Sequence, residues 1–275
     1  MWHLALETIG LSGSVALHKD SQLVANFPLP SEIGSARSLM PAIESVVRNA
    51  AITSSQLELI SLANGPGSFT GLRVSVATAK AIGYALNVPL CAVDTLETLA
   101  YRLGLEAISS HQKPALIAAA MDAYRKQVFR LIAVVEPQLA GENAACRGIK
   151  LNIILPSHHL DVALWNQNPF HGVDRNLALS AGVLQPSHHD HACDYQVVVG
   201  GNAIRRYPLA ENSLPPSRIC DSRDITAVDV GRYAWQRWLA GERTDPFQLL
   251  PNYLRASAAE EKALAPLAST ESSES

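Results

Sequence analysis

The sequence predicts an α/β protein of two lobes, each a mixed sheet with flanking helices. Three observations predict it. First, Leu4-Ala5-Leu6 and Ser14-Val15-Ala16-Leu17-His18 are short apolar strands on either side of a small-residue turn, Thr8-Ile9-Gly10-Leu11-Ser12-Gly13, and so form a hairpin. Second, the same unit recurs as Pro114 to Met121, a turn from Asp122 to Lys126, and Gln127 to Val135. Each unit is an apolar strand ending in one acid, a turn and a second strand, so Glu7 and Asp122 are expected to face a shared cleft between related lobes. Third, 275 residues that are 48% hydrophobic and 17% charged are enough for two cores and exclude disorder for the body of the chain. The 16 Gly and 16 Pro follow no period, which excludes a collagen-like or coiled-coil chain.

In chain order, Ser38 is the expected N-cap of a helix through Asn49, with Pro41 in its first turn and Leu39, Ile43, Val46 and Val47 at helical spacing. A buried strand, Leu57 to Ala63, runs into Asn64-Gly65-Pro66-Gly67-Ser68-Phe69-Thr70-Gly71-Leu72-Arg73. A helix of roughly Leu72 to Leu86 follows and ends near Asn87, before Pro89. Ser75, Ala79 and Gly83 form a stripe of small residues on it, which fits either packing on its own sheet or a close helix-on-helix contact between subunits. Residues 136 to 195, with His158-His159 and His188-His189-Asp190-His191, read as irregular connections. Val197-Val198-Val199 is a buried strand entering the Gly200-Gly201-Asn202-Ala203 turn, and a last helix near Ala227 to Ala240 carries Val228, Tyr233, Trp235 and Trp238. The expected division is 1–104 for the first lobe, 105–255 for the second with the C-terminal helix, and 256–275 for a disordered tail.

The 22 Lys and Arg against 25 Asp and Glu, net −3, argue against a protein that grips nucleic acid unaided; an RNA role calls for a more basic partner. Cys91, Cys146, Cys193 and Cys220 form no C-x-x-C pair, so reduced thiols in a cytoplasmic protein are expected rather than a zinc knuckle or dithiol site. The N-terminus lacks a basic region ahead of its apolar run, which Glu7 breaks, so no signal peptide is read there. No stretch reaches the roughly eighteen apolar residues of a membrane span.

The Gly65 to Gly71 loop meets neither nucleotide motif. The sixth residue counted from Gly65 is Thr70, not glycine followed by lysine, and a dinucleotide fingerprint needs a glycine at that same place. Backbone N–H groups at a helix N-terminus, with Ser68 and Thr70 as caps and Arg73 in the first turn, offer an anion site. A strand-to-helix turn that needs its glycines for geometry fits equally well.

Gly65-Pro66-Gly67-Ser68-Phe69-Thr70-Gly71-Leu72-Arg73, continued by Val76-Ala77-Thr78-Ala79-Lys80, resembles the signature of the TsaB (YeaZ) family. Asp122-Ala123-Tyr124-Arg125, Gly200-Gly201-Asn202-Ala203 and Pro251-Asn252-Tyr253-Leu254-Arg255 are similar to its later landmarks, in order. The resemblance implies a two-lobed actin-like, sugar-kinase and Hsp70-type ATPase fold. It also implies a non-catalytic subunit of the machinery that installs the threonylcarbamoyl group on the adenosine beside the tRNA anticodon. There TsaD is the catalytic, metal-holding partner, TsaE an ATPase that resets the complex, and tRNA is met through the complex. The family pairs through its first two helices, with TsaD or as a homodimer. Carried over, this places Leu39, Ile43, Val47, Val74, Ala77, Thr78 and Ala81 at the interface, with Ser75, Ala79 and Gly83 admitting the close approach.

Active members of that superfamily present acids to Mg²⁺ and glycine amides to ATP phosphates from two hairpins. Here the first hairpin has Glu7 where Asp is usual, and the second fills its turn with Tyr124-Arg125-Lys126, which crowds phosphates. Candidate nucleotide or anion contacts are therefore Glu7, Gly65, Gly67, Ser68, Thr70, Gly71, Arg73, Asp122, Gly200 and Gly201, with no catalytic residue, no resident cofactor or metal, and ATP or ADP at a subunit junction. Glu7 with Asp122 is either a relic metal pair or two partly solvated carboxylates. The stretch that usually carries His-Ser before the first helix reads Ala36-Arg37-Ser38, a departure expected to retune pairing. No histidine pair has the H-x-x-x-H spacing of a metal-holding helix, which counts against both TsaD-like catalysis and a metalloprotease. The rival reading is a small-molecule kinase or ATPase working between Glu7 and Asp122.

Overall fold

The computed structural model describes residues 1–10, 12–111, 113–138, 149–174, 195–210 and 219–254. Strand β1 (Trp2–Glu7) is buried from His3 onward; it turns back as β2 (Ser14–Lys19) and again as β3 (Gln22–Pro28), an edge strand exposed along most of its length. Helix α1 (Ser35–Asn49) leads through a 3₁₀ turn, Ser54–Gln56, to β4 (Leu57–Ala63), α2 (Phe69–Leu86), β5 (Leu90–Val93) and α3 (Thr95–His111). The second half repeats the plan with β6 (Ala115–Asp122), β7 (Gln127–Pro137), β8 (Ile149–Asp161), α4 (Val162–Gln167), β9 (Gln196–Gly200), α5 (Ala203–Arg206), β10 (Ile219–Asp221) and α6 (Ala227–Leu239).

The repeat read from the hairpins extends to whole sheets. The first runs β3-β2-β1-β4-β5 and the second β8-β7-β6-β9-β10. In each, the three strands on one side pair antiparallel and the other two join in parallel. The cores form successive layers. α1 and α2 cover the outer face of the first sheet over Leu4, Leu6, Val15, Leu17, Ile60 and Leu62. α3 and α6 lie between the sheets. Trp165 and Phe170 close the outer face of the second sheet with Ala203 at the start of α5, the Trp165 indole donating to the Tyr207 carbonyl at 3.0 Å. Among the described residues no helix is long and apolar enough to cross a membrane.

Several expectations need correction. α1 begins three residues before Ser38, after Gly34; the Ser38 hydroxyl is buried and bonds back to the Gly34 carbonyl at 3.0 Å, and Pro41 lies inside the helix. α2 also begins earlier, at Phe69, because Ser68 is its N-cap and accepts from Gly71 N. Its end is as read, with Asn87 left-handed. Within the segment expected to be irregular, residues 149–161 form β8, thirteen residues long; Pro156 interrupts its pattern near a bulge opposite β7, where an edge strand tolerates proline. The last helix follows the second sheet in sequence yet packs on β1, β2, β4 and β5 of the first. The His188 to His191 cluster and the tail lie outside the described residues.

Candidate functional site

The two hairpin acids have the same local task. Glu7, fully buried, accepts from the backbone N–H groups of Ile9 and Gly10 through Oε1. Asp122 accepts from Tyr124 N at 2.8 Å, and its other oxygen meets Arg206 Nε at 3.4 Å. Each carboxylate therefore ties down its own turn two residues on. Burial pushes the Glu7 carboxyl up to about 7, with Asp224 and Asp229 adding repulsion and the two turn N–H groups opposing it. Glu7 Oε2 is buried without a hydrogen-bond partner.

The expected shared cleft is filled. The space between the hairpins is lined by Gly10, Leu99, Met121, Gly201, Asn202, Arg223, Asp224 and Ile225 and measures about 10 Å³, against the several hundred Å³ typical of a ligand pocket. Neither Glu7 nor Asp122 lines it. The Gly200-Gly201 turn is used by the chain itself. Gly201 has φ 107°, and a Cβ there would overlap the Ala120 carbonyl oxygen. Asn202 then ties the β6–β7 turn to the loop before α6, accepting from Asp122 N at 2.7 Å and donating to Asp224 at 2.8 Å.

The Gly65 to Arg73 loop holds two other segments. A Cβ on Gly71 would run into the Thr8 carbonyl oxygen, and the Thr8 hydroxyl donates to the Gly71 carbonyl at 2.7 Å, so the loop grips the first hairpin turn. On its other side Asn252 N donates to the Asn64 carbonyl at 2.7 Å, Tyr253 stacks on Phe69 at 4.6 Å, and Arg73 Nε donates to the Tyr253 hydroxyl at 2.9 Å. Ser68 caps the helix, whereas Thr70 is exposed. This geometry accounts for the loop's glycines and for Arg73 without an anion.

Sequence reasoning missed Asp94. It is N-terminal to α3, accepts from Leu96 N and Glu97 N, and accepts from Ser157 of β8 at 3.0 Å, so it joins the lobes; burial pushes it up to about 6. The readable signal was Asp94-Thr-Leu-Glu97 ahead of an apolar run, a helix-start pattern.

An open apolar groove lies on the outer face of α1 and α2. Ile43, Val47, Ala77, Thr78 and Ala81 line a groove of about 890 Å³ with Met40, Ile82 and Leu86. The other expected interface residues do not share it. Leu39 is 1% exposed and belongs to the core under α1, and Val74 is half-buried against that core. Ser75 donates to the Ala63 carbonyl, Ala79 is fully buried, and a Cβ on Gly83 would lie 2.8 Å from Leu90 Cδ2. The small-residue stripe thus seats α2 on β4 and β5, and the alternative of a close helix-on-helix approach through it is corrected. Among the described residues no group of three or more His, Cys, Asp or Glu side chains converges as a metal site.

Comparisons with known proteins fit this arrangement. Residues 28–146 match the family model of TsaD, tRNA N6-adenosine threonylcarbamoyltransferase. The tRNA threonylcarbamoyladenosine biosynthesis protein TsaB of Bacillus subtilis is 31% identical over 126 residues, 46% of this chain and 52% of that protein. Its Escherichia coli namesake is 30% identical over 97 residues, 35% of this chain and 42% of that protein. The chain thus spans about half, or less, of the length of these curated relatives, and its resemblance to the TsaB family is close over that part. Among solved structures, YeaZ from Pseudomonas aeruginosa superposes with a TM-score of 0.63 at 24% identity, covering 92% of this chain and 99% of that one. The likeness shows the fold: two mixed sheets with flanking helices.

Proposed function

We propose that this chain, like the TsaB proteins it resembles, is a non-catalytic partner subunit that pairs with a TsaD-like transferase for threonylcarbamoylation of the adenosine beside the tRNA anticodon. The observation that carries the reading is the contrast between about 10 Å³ at the two hairpin turns and an apolar groove of about 890 Å³ on the outer face of α1 and α2; a cavity of about 440 Å³ beside α3 and α6 is lined by neither Glu7 nor Asp122. The first does not admit a nucleotide, and the second is the kind of surface that soluble proteins cover. Because residues 28–146 also match the TsaD model, the groove falls in a region common to both partners, which favours a pseudo-symmetric pairing of like helices.

In this reading Ile43, Val47, Ala77, Thr78 and Ala81 contact TsaD, or a second copy of the chain when TsaD is absent. A TsaE-like ATPase and tRNA meet the chain through the complex, ATP or ADP lodges only at a subunit junction, and the protein acts in the cytoplasm. Calorimetric titration with Mg·ATP, and then with the TsaD of the same organism, tests it. Silence toward ATP with tight binding of TsaD is the expected result. Micromolar ATP binding without affinity for TsaD would overturn it in favour of a small-molecule kinase.

A further inference from the structure

The cavity of about 440 Å³ beside α3 and α6 falls within the range, roughly 300–1,000 Å³, that small-molecule pockets occupy. Tyr101 and Leu105 of α3 and Val228 of α6 give it an apolar wall. Most of the remaining lining is charged: Arg102, Arg223 and Arg232 against Glu106, Asp224 and Asp229. Several of these groups are already engaged. Arg223 pairs with Asp221 at 2.7 Å and with Glu106 at 2.6 Å, and Asp224 accepts from Asn202 at 2.8 Å and from Arg205 at 2.7 Å. Arg102, 7% exposed, donates through its terminal nitrogens to the Asp224 and Arg223 carbonyls and to Asp221.

What remains is an acid and a base that do not use each other. Asp229, buried, spends Oδ2 on the Thr226 N–H and hydroxyl, which start α6, and its Oδ1 has no hydrogen bond among the described residues. Arg232, one turn further along α6, is exposed and makes no hydrogen bond or ion pair among the described residues. An Asp and an Arg three residues apart on a helix ordinarily meet. Here they stay apart, although both border the same cavity. The Arg102 side chain adds a buried Nε–H without an acceptor, a donor whose desolvation nothing in the protein offsets.

We propose that this cavity binds a free α-amino acid with an apolar side chain. The carboxylate of the ligand accepts from Arg232 and from the Arg102 Nε–H, its ammonium donates to Asp229 Oδ1, and its side chain lies on Leu105, Val228 and the Tyr101 ring. A lone anion answers Arg232 but meets the Asp229 oxygen beside it, and a lone amine meets the reverse difficulty. A zwitterion answers both, through charge-assisted bonds of the stronger kind. The apolar wall selects a side chain over a bare glycine, since each buried methylene adds to binding. The site stands apart from the pairing proposed above, because none of its lining residues belongs to the groove on α1 and α2.

The test is calorimetric titration of the full chain with leucine, methionine and phenylalanine, with glycine, and with the two halves of leucine's chemistry, isoamylamine and isocaproate. At least one of the apolar amino acids is expected to bind, with glycine and both half-ligands weaker by roughly tenfold or more. Arg232→Leu and Asp229→Asn should each weaken binding roughly tenfold. The Asn amide oxygen still accepts from Thr226, so the start of α6 is kept; should that variant nevertheless unfold, Arg232→Leu, at an exposed position, decides alone. The bound amino acid should also raise the urea midpoint of the wild-type chain and leave that of Arg232→Leu where it was. No binding of the three apolar amino acids at millimolar concentration, isocaproate or isoamylamine binding as tightly as the amino acid, or unchanged affinity in Arg232→Leu would each overturn the site.

Discussion

Two substitutions two residues apart on α2 should have opposite consequences, because one side chain faces the groove and the other faces the sheet. Ala81 is exposed and lines the groove. Ala81→Glu adds a solvated carboxylate to the free chain at a helix-propensity cost of a few tenths of a kcal/mol, about what exposed sites show. Once a partner covers the groove, that carboxylate is desolvated against a mainly apolar lining whose charged side chains, Glu44 and Arg48, sum to no net charge. An uncompensated buried charge costs several kcal/mol; taking about 3 kcal/mol, pairing weakens roughly 150-fold. Gly83→Leu acts on the fold instead. Its first carbon already lies 2.8 Å from Leu90 Cδ2 and 3.1 Å from the Val88 carbonyl, so overpacking should cost about 1–3 kcal/mol or more. Calorimetry against TsaD and urea midpoints separate the two effects. Wild-type pairing by Ala81→Glu would refute the outer-face interface, and wild-type stability of Gly83→Leu would refute the inward placement of the stripe.

Further outcomes follow from the buried groups. Glu7 is raised to about 7 and Asp94 to about 6, so each adds stability as pH falls from 7 toward 4.5; His3 is lowered to about 3 and His18 to about 4, so each removes stability as pH falls below 6.5. Urea midpoints should therefore change little between pH 8 and 5 and drop below about pH 4.5, and Glu7→Gln should remove the gain near neutrality; a profile identical to wild type would show that Glu7 does not titrate there. Tyr253→Ala loses its stacking on Phe69 and the bond from Arg73, so stability should fall by about 1–2 kcal/mol and the segment after Leu249 should become the first site of limited proteolysis. Gly201→Ala meets both a left-handed backbone and the Ala120 carbonyl, so its denaturation midpoint should fall by more than that of Gly241→Ala, where the backbone is left-handed but the space is open.

What was legible in the sequence followed from local pattern. The hairpins carry apolar strands on either side of small turns, and Asn87 ahead of Pro89 marks a helix end by its own chemistry. Helix α3 offered only the signal at its start, Asp94 and Glu97; buried on nearly every side between the two sheets, it has no broad polar face to set a period. β8 has the opposite difficulty: partly exposed on both faces and interrupted by Pro156, it shows no alternation. The stripe of Ser75, Ala79 and Gly83 was visible, but spacing alone does not say which neighbour comes close. Leu90 and the Ala63 carbonyl, on the strands at either end of the helix, decide that. At the motif loop the glycines were readable and their partners were not, since Thr8 and Asn252 lie far along the chain on either side.

The return of α6 to the first sheet has a consequence for the order in which the molecule can be completed during synthesis. Ala227 N donates to the Ser14 hydroxyl at 2.8 Å across 213 residues, and Cys91 contacts the Ala234 carbonyl across 143. Strands β1, β2, β4 and β5 have therefore all left the ribosome long before the helix that covers their inner face exists. Loop closure on that scale is slow to reward, and the uncovered apolar face is open to wrong associations in the interval. A nascent chain arrested before Ala227 presents a first lobe without its cover, the form that chaperones would be expected to hold.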